Sequence, residues 1–176
     1  RAVAFYAQQP NYLQRLNKEL SRLDLGLEEM KLTTGNGAPV ATFRHSGLDC
    51  DIVMAQESSG TRRFIEIFPL LQYVLDTGGI AIIDELDADI HPLVLPELFR
   101  WFYDQARNPN KAQMLFTAHN PAILDMLEKE QVFFSEKPGG KPTRIYGARE
   151  VKGLRREPSL MKKYMSGELG AVPHIG

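Results

Sequence analysis

Apolar positions in this chain recur at helical spacing in some segments and at strand spacing in others, and the two kinds take turns. Behind Pro10, the residues Leu13, Leu16, Leu20 and Leu23 repeat at three- and four-residue steps, which predicts an amphipathic helix over residues 10–25. Residues 27–33 and 39–45 read as two strands around Thr34-Gly35-Asn36-Gly37, a hairpin signal. Residues 48–55 lead into Glu57-Ser58-Ser59-Gly60-Thr61. Phe64, Ile65, Phe68, Leu71 and Leu75 then mark the inward face of a helix over 61–75, bent at Pro69 and stopped by Gly78-Gly79. A short strand over 80–83 follows. Pro92 opens a helix expected to reach about residue 107, with Leu93, Leu98, Trp101 and Phe102 packing, and Asn108-Pro109-Asn110 is its exit loop. Residues 114–117 form the next strand, and Asn120 caps a helix over 121–127. Residues 132–135 and 143–146 suggest a hairpin around Pro138-Gly139-Gly140, and the remainder reads as a poorly patterned tail. Strands alternating with helices predict an α/β fold with a mostly parallel sheet flanked by helices, plus a small antiparallel region.

Composition adds bounds. The 176 residues suffice for a real core, and 43% hydrophobic with 24% charged residues is ordinary for a globular protein. The lone Cys50 excludes an internal disulfide and fits a reducing, cytoplasmic setting. No apolar run approaches the roughly 20 residues that span a bilayer, so no membrane partner is expected. A net charge of −1 gives no global case for nucleic acid, but charge is unevenly spread. Six acids face one base between residues 84 and 104, and nine bases face three acids between 136 and 163. The basic block is either a solvated hairpin and tail or a surface for nucleic acid or a protein partner.

The acidic block holds the clearest chemistry. The apolar run of residues 80–83 ends abruptly in Asp84 and Glu85. A buried parallel strand delivers acids to its carboxyl end in this way, and paired acids there meet a cation or move a proton. Upstream, Ser58, Ser59 and Gly60 precede a helix, where free N–H groups, hydroxyls and the helix dipole make either an anion site or an ordinary N-cap. Downstream, His119 ends an apolar strand, placed to donate to a phosphate oxygen or to bond backbone.

Serine-glycine turn and helix, acidic strand, helix, and histidine strand follow in an order that resembles the C-terminal lobe of an ABC-type P-loop ATPase head, as in structural-maintenance-of-chromosomes (SMC) proteins. The signature motif of those heads, Leu-Ser-Gly-Gly-Gln, is here Glu57, Ser58, Ser59, Gly60 and Thr61. Asp84-Glu85 with His91-Pro92, Thr117-Ala118-His119-Asn120-Pro121, Gln131-Val132-Phe133-Phe134-Ser135-Glu136-Lys137, and the stretch from Tyr164 to Pro173 narrow the likeness. They resemble bacterial AAA-family or abortive-infection ATP-binding proteins, relatives of the overcoming-lysogenization-defect nucleases.

The resemblance implies ATP and Mg2+ as cofactors and ATP hydrolysis as the activity. Asp84 is the magnesium residue and Glu85 the water-positioning base, with His119 in a catalytic role. Ser58, Ser59, Gly60 and Thr61 contact phosphate. Asp87, Asp89 and His91 fall in the D-loop, which touches the opposite nucleotide in a head-to-tail dimer. It also implies an effector partner and work in phage defence or on DNA. The matching organisation is a helix and hairpin over 1–50, the ATPase lobe over 51–150 and the basic tail over 151–176. The sequence holds no Gly-x-x-x-x-Gly-Lys-Ser/Thr and begins at Arg1, so the expectation is a piece of a longer ATPase whose Walker A half lies elsewhere. Two other classes stay open. Asp87 and Asp89 form an Asp-x-Asp which, with an upstream acid, resembles a Toprim-type metal nuclease. The basic tail alone fits a non-catalytic binding module.

Overall fold

The computed structural model describes residues 2–23, 26–137, 141–151, 153–154 and 159–172. The chain divides into two compact units, Arg1–Thr117 and Ala118–Gly176.

The first unit opens with helices α1 (Ala2–Gln8) and α2 (Pro10–Arg22). The sequence pattern did not predict α1, which has only Tyr6 fully inward. In α2, Leu16 and Leu20 are buried, as the leucine repeat requires. The hairpin of β1 (Leu27–Gly35) and β2 (Ala38–His45) is antiparallel, and β3 (Ile52–Val53) extends it. Its two-residue turn has positive φ at both Asn36 and Gly37, the twist-matched geometry of tight hairpins. The Asn17 side chain docks α2 on this sheet, donating to the Met30 carbonyl at 3.0 Å and accepting from the Met30 N–H at 2.9 Å.

Helix α3 (Ser59–Thr77) carries Pro69 in its interior. Proline has no N–H, so the Ile65 carbonyl loses its helical donor. The Tyr6 hydroxyl replaces it, donating to the Ile65 oxygen at 2.8 Å from a fully buried site. Burial pushes the Tyr6 phenol above its ordinary pKa. Tyr6→Phe is therefore expected to cost about 1–3 kcal/mol, the penalty of a buried unpaired carbonyl. The double variant Tyr6→Phe/Pro69→Ala recovers most of that loss, because an alanine N–H restores the bond. Urea denaturation of the four proteins checks this, and equal costs of Tyr6→Phe with and without Pro69 would contradict it.

Gly78, with φ of 80°, ends α3 and turns the chain into β4 (Ile80–Ile83). Helix α4 (Leu95–Tyr103) is shorter at both ends than the sequence pattern predicts. His91–Val94 forms a turn closed by Val94 N–H to His91 oxygen, so Pro92 starts no helix. At the far end the Asp104 carboxylate accepts from Ala106 N–H at 2.8 Å and bends the chain away. Leu93 consequently lies 77% exposed instead of packed, whereas Leu98 and Trp101 are buried as expected. Asn108 ties the following loop, bonding both the N–H and the carbonyl of Ala112.

Strand β5 (Gln113–Phe116) pairs in parallel with β4, Ile83 opposite Phe116. Ala81 and Ile83 face a core built around Phe64, Phe68 and the Trp101 indole, with Phe99 stacked on Phe116. Ile80, Ile82 and Leu115 are exposed.

The second unit pairs β6 (Phe133–Glu136) with β7 (Arg144–Gly147) as the predicted hairpin. Its Pro138-Gly139-Gly140 connection lies outside the described residues. Pro121–Met126 is a 3-10 helix and not an α-helix, capped by Asn120 as foreseen. The stretch that read as a patternless tail contains helix α5 (Leu160–Met165), whose start is tied by Ser159 and by the Asp125 carboxylate. The Asp125 anchor, 34 residues before Ser159, leaves no local pattern. Val132, Phe134, Ala148 and Leu169 form the unit's core. Lys163 is buried, so it adds nothing to a basic surface. Lys152, Arg155 and Arg156, also expected on that surface, lie outside the described residues.

Candidate functional site

The link from α3 to β4 sends the two elements in opposite directions. The start of the helix therefore returns to the carboxyl end of the strand. A cavity of about 380 Å³ lies there, lined by Ser59, Arg62, Arg63, Glu66, Asp84, Glu85, Ala88 and Asp89. Serine turn and acidic tip, separate in sequence, thus share one concavity.

The acidic tip is exposed, not buried, at both Asp84 and Glu85. Both residues are therefore open to solvent. Their geometry is fixed by Thr117, the residue after β5. Its hydroxyl accepts from Glu85 N–H at 2.8 Å and lies 2.5 Å from Asp84 Oδ1. Its N–H donates to the Ile83 carbonyl at 3.1 Å, and its own carbonyl accepts from Leu86 N–H at 3.0 Å. Glu85 is held at φ 49° and Asp89 at φ 62°, left-handed values that non-glycine residues adopt sparingly and that gather at functional sites. Arg63 donates to the Asp84 carbonyl at 3.1 Å, and its buried Nε has no partner among the described residues.

In the serine turn the residues divide. Ser58 is the N-cap: its hydroxyl accepts from Thr61 N–H at 3.0 Å and lies 2.9 Å from the Thr61 hydroxyl. Thr61 is buried. Ser59 is exposed and lines the cavity. Glu57, the acid before the turn, is buried and bonded to His45 at the end of β2, which anchors the turn to the hairpin. Gly60 lies against the acidic loop: a Cβ there would be 2.5 Å from the Asp89 carbonyl oxygen. Gly60→Ala is expected to destabilise the chain by about 1–3 kcal/mol, as an overpacked contact does, visible as a lowered thermal midpoint. An unchanged midpoint would show that the loop yields freely.

Asp87 is half-buried, and His91 is exposed with Nδ1 accepting from Leu93 N–H at 3.2 Å. His119 is exposed in the second unit. Among the described residues, no group of three or more His, Cys, Asp or Glu side chains could hold a metal. Asp87 and Asp89 thus do not join an upstream acid into the metal-holding group a Toprim-type nuclease needs. One carboxylate does suit magnesium, which keeps its waters and takes few protein ligands alongside phosphate oxygens. The start of α3, the Ser59 hydroxyl and the Arg62 and Arg63 guanidiniums suit a phosphate chain. The residues at this end of the unit therefore fit both ATP and Mg2+.

Sequence reasoning missed Thr117 and Arg63. Parallel alignment of residues 80–83 with 113–116 would have set Thr117 beside Asp84, but that register is a tertiary fact.

A family model described as "AAA domain, putative AbiEii toxin, Type IV TA system" matches residues 2–125. A solved structure from work on ATP-driven dimerization and DNA-stimulated activation of SMC ATPases superposes with a TM-score of 0.63. The two chains are 11% identical, and the match covers 100% of each. At that identity the likeness concerns the fold. No curated protein matches the chain. No helix among the described residues is long and apolar enough to cross a membrane.

Proposed function

The chain belongs to this AAA-domain family, and from that premise we propose that its first unit is the acidic half of an ATP-hydrolysing head. The observation that carries the proposal is the exposed acidic tip of β4, where the Thr117 hydroxyl holds both the Asp84 carboxylate and the Glu85 main chain. Asp84, whose carboxylate Thr117 fixes, would hold magnesium. Magnesium, when bound, neutralises the oxygens of the β- and γ-phosphates. Glu85 orients the attacking water and takes its proton.

The phosphate loop comes from a lobe outside these 176 residues. A parallel sheet is ordinarily covered on both faces, whereas β4 and β5 present Ile80, Ile82 and Leu115 bare. That open face supports a missing lobe of the same fold. Ser59, Gly60 and the start of α3 complete the site of a second head, with the segment from Asp87 to His91 at the seam. The similar SMC ATPases are ones whose dimerization is ATP-driven. Hydrolysis then drives or restrains an effector, in phage defence or in work on DNA.

Isothermal titration tests the division of labour. The chain alone is expected to bind MgATP weakly or not at all, since one turn and one carboxylate replace the amide cradle of a phosphate loop. Joined to the phosphate-loop lobe it should bind, and Asp84→Ala should lose the magnesium-dependent part. Micromolar MgATP affinity of the isolated chain would mean that a complete site exists within it.

A further inference from the structure

We infer that Thr117 is a positioning residue for this site: its hydroxyl sets the Asp84 carboxylate for a divalent cation and locks the Glu85 backbone. The inference rests on the ATPase reading above and concerns how its acidic tip is built.

Each residue from Ile83 to Leu86 is bonded to Thr117. Ile83 and Leu86 are held through backbone, at 3.1 and 3.0 Å. Asp84 and Glu85 are held through one hydroxyl, at 2.5 and 2.8 Å. A hydroxyl has one proton. The Glu85 N–H donates into the oxygen, so that proton is committed to Asp84 Oδ1. The arrangement therefore requires Asp84 as an acceptor and fixes its rotamer. It also satisfies the amide of a residue in a left-handed conformation, φ 49°, that nothing in its side chain favours. Carboxylates that hold metals are themselves held by such outer bonds, and removing one commonly costs 10–100-fold in metal affinity. Serine could supply the hydroxyl and valine the shape, which makes the two functions of threonine separable here.

The test compares Thr117→Val, Thr117→Ser and Asp84→Ala. In the ligand-free chain, amide hydrogen exchange reads the lock directly. Thr117→Val should speed exchange at Glu85 at least 10-fold while amides of β4 and α3 exchange as in the parent, and Thr117→Ser should retain protection. In the head assembled with its phosphate loop, manganese binding in the presence of ADP is followed by electron paramagnetic resonance. Thr117→Val should raise the half-saturating manganese concentration roughly 10–100-fold, with Thr117→Ser within about threefold of the parent. If Thr117→Val binds manganese like the parent while Asp84→Ala does not, the role of Thr117 is overturned and the ATPase site stands. If Asp84→Ala also binds like the parent, the cation is not at Asp84, and both ideas fall.

Discussion

Glu85→Gln is expected to leave nucleotide bound to the assembled head while slowing hydrolysis by roughly 10²–10⁴-fold, the contribution of a positioned general base. Glutamine keeps the size and the left-handed backbone of Glu85 but cannot accept a proton from water. The Glu85 side chain is exposed, and the bond of this residue to Thr117 is made by the main chain, which glutamine retains. Nucleotide affinity should be retained, which separates this variant from Asp84→Ala, where magnesium-dependent binding is expected to fail as well. Parent-like turnover by Glu85→Gln would move the base to another residue.

The second large effect comes from mixing two dead proteins. Ser59→Glu sets a negative charge where a partner's γ-phosphate would lie, and Asp84→Ala removes the carboxylate proposed to hold magnesium. Each alone should show background hydrolysis. In a head-to-tail pair, one mixed dimer holds one site with both halves intact and one with both broken. Half the dimers in an equal mixture are mixed, so roughly a quarter of parental activity should return under two-fold symmetry. Ser59 is the suitable position because its side chain is exposed, whereas a side chain at Gly60 would strike the Asp89 carbonyl of its own chain. A Gly60 variant could fail by misfolding alone. A mixture no more active than its components would rule out the shared site.

Much of the site was legible because it is local. The run of residues 80–83, bounded by Gly78-Gly79 and by two acids, could hardly be anything but a short strand with a charged tip. Ser58 announced a helix start, and Asn36-Gly37 a tight hairpin. Partnerships across the chain were not legible. Thr117 became visible only once β5 was aligned with β4. Pro69 looked like a bend, yet its missing N–H is answered by Tyr6, far away in a helix with too little periodicity to be seen. The expected burial of the strand behind Asp84 and Glu85 held on one face only, with Ala81 and Ile83 buried and Ile80 and Ile82 exposed. Helix α5 escaped notice because Asp125, distant in sequence, helps tie its start.

Asp84 and Glu85 are the proposed hydrolytic centre. Release of phosphate from ATP by the assembled head, parent against the double variant Asp84→Ala/Glu85→Gln, measures this most directly. The double variant should fall to background and should be no slower than the more damaged single variant once background is reached, while remaining folded by circular dichroism. Phosphate release at the parental rate from the folded double variant would contradict the account.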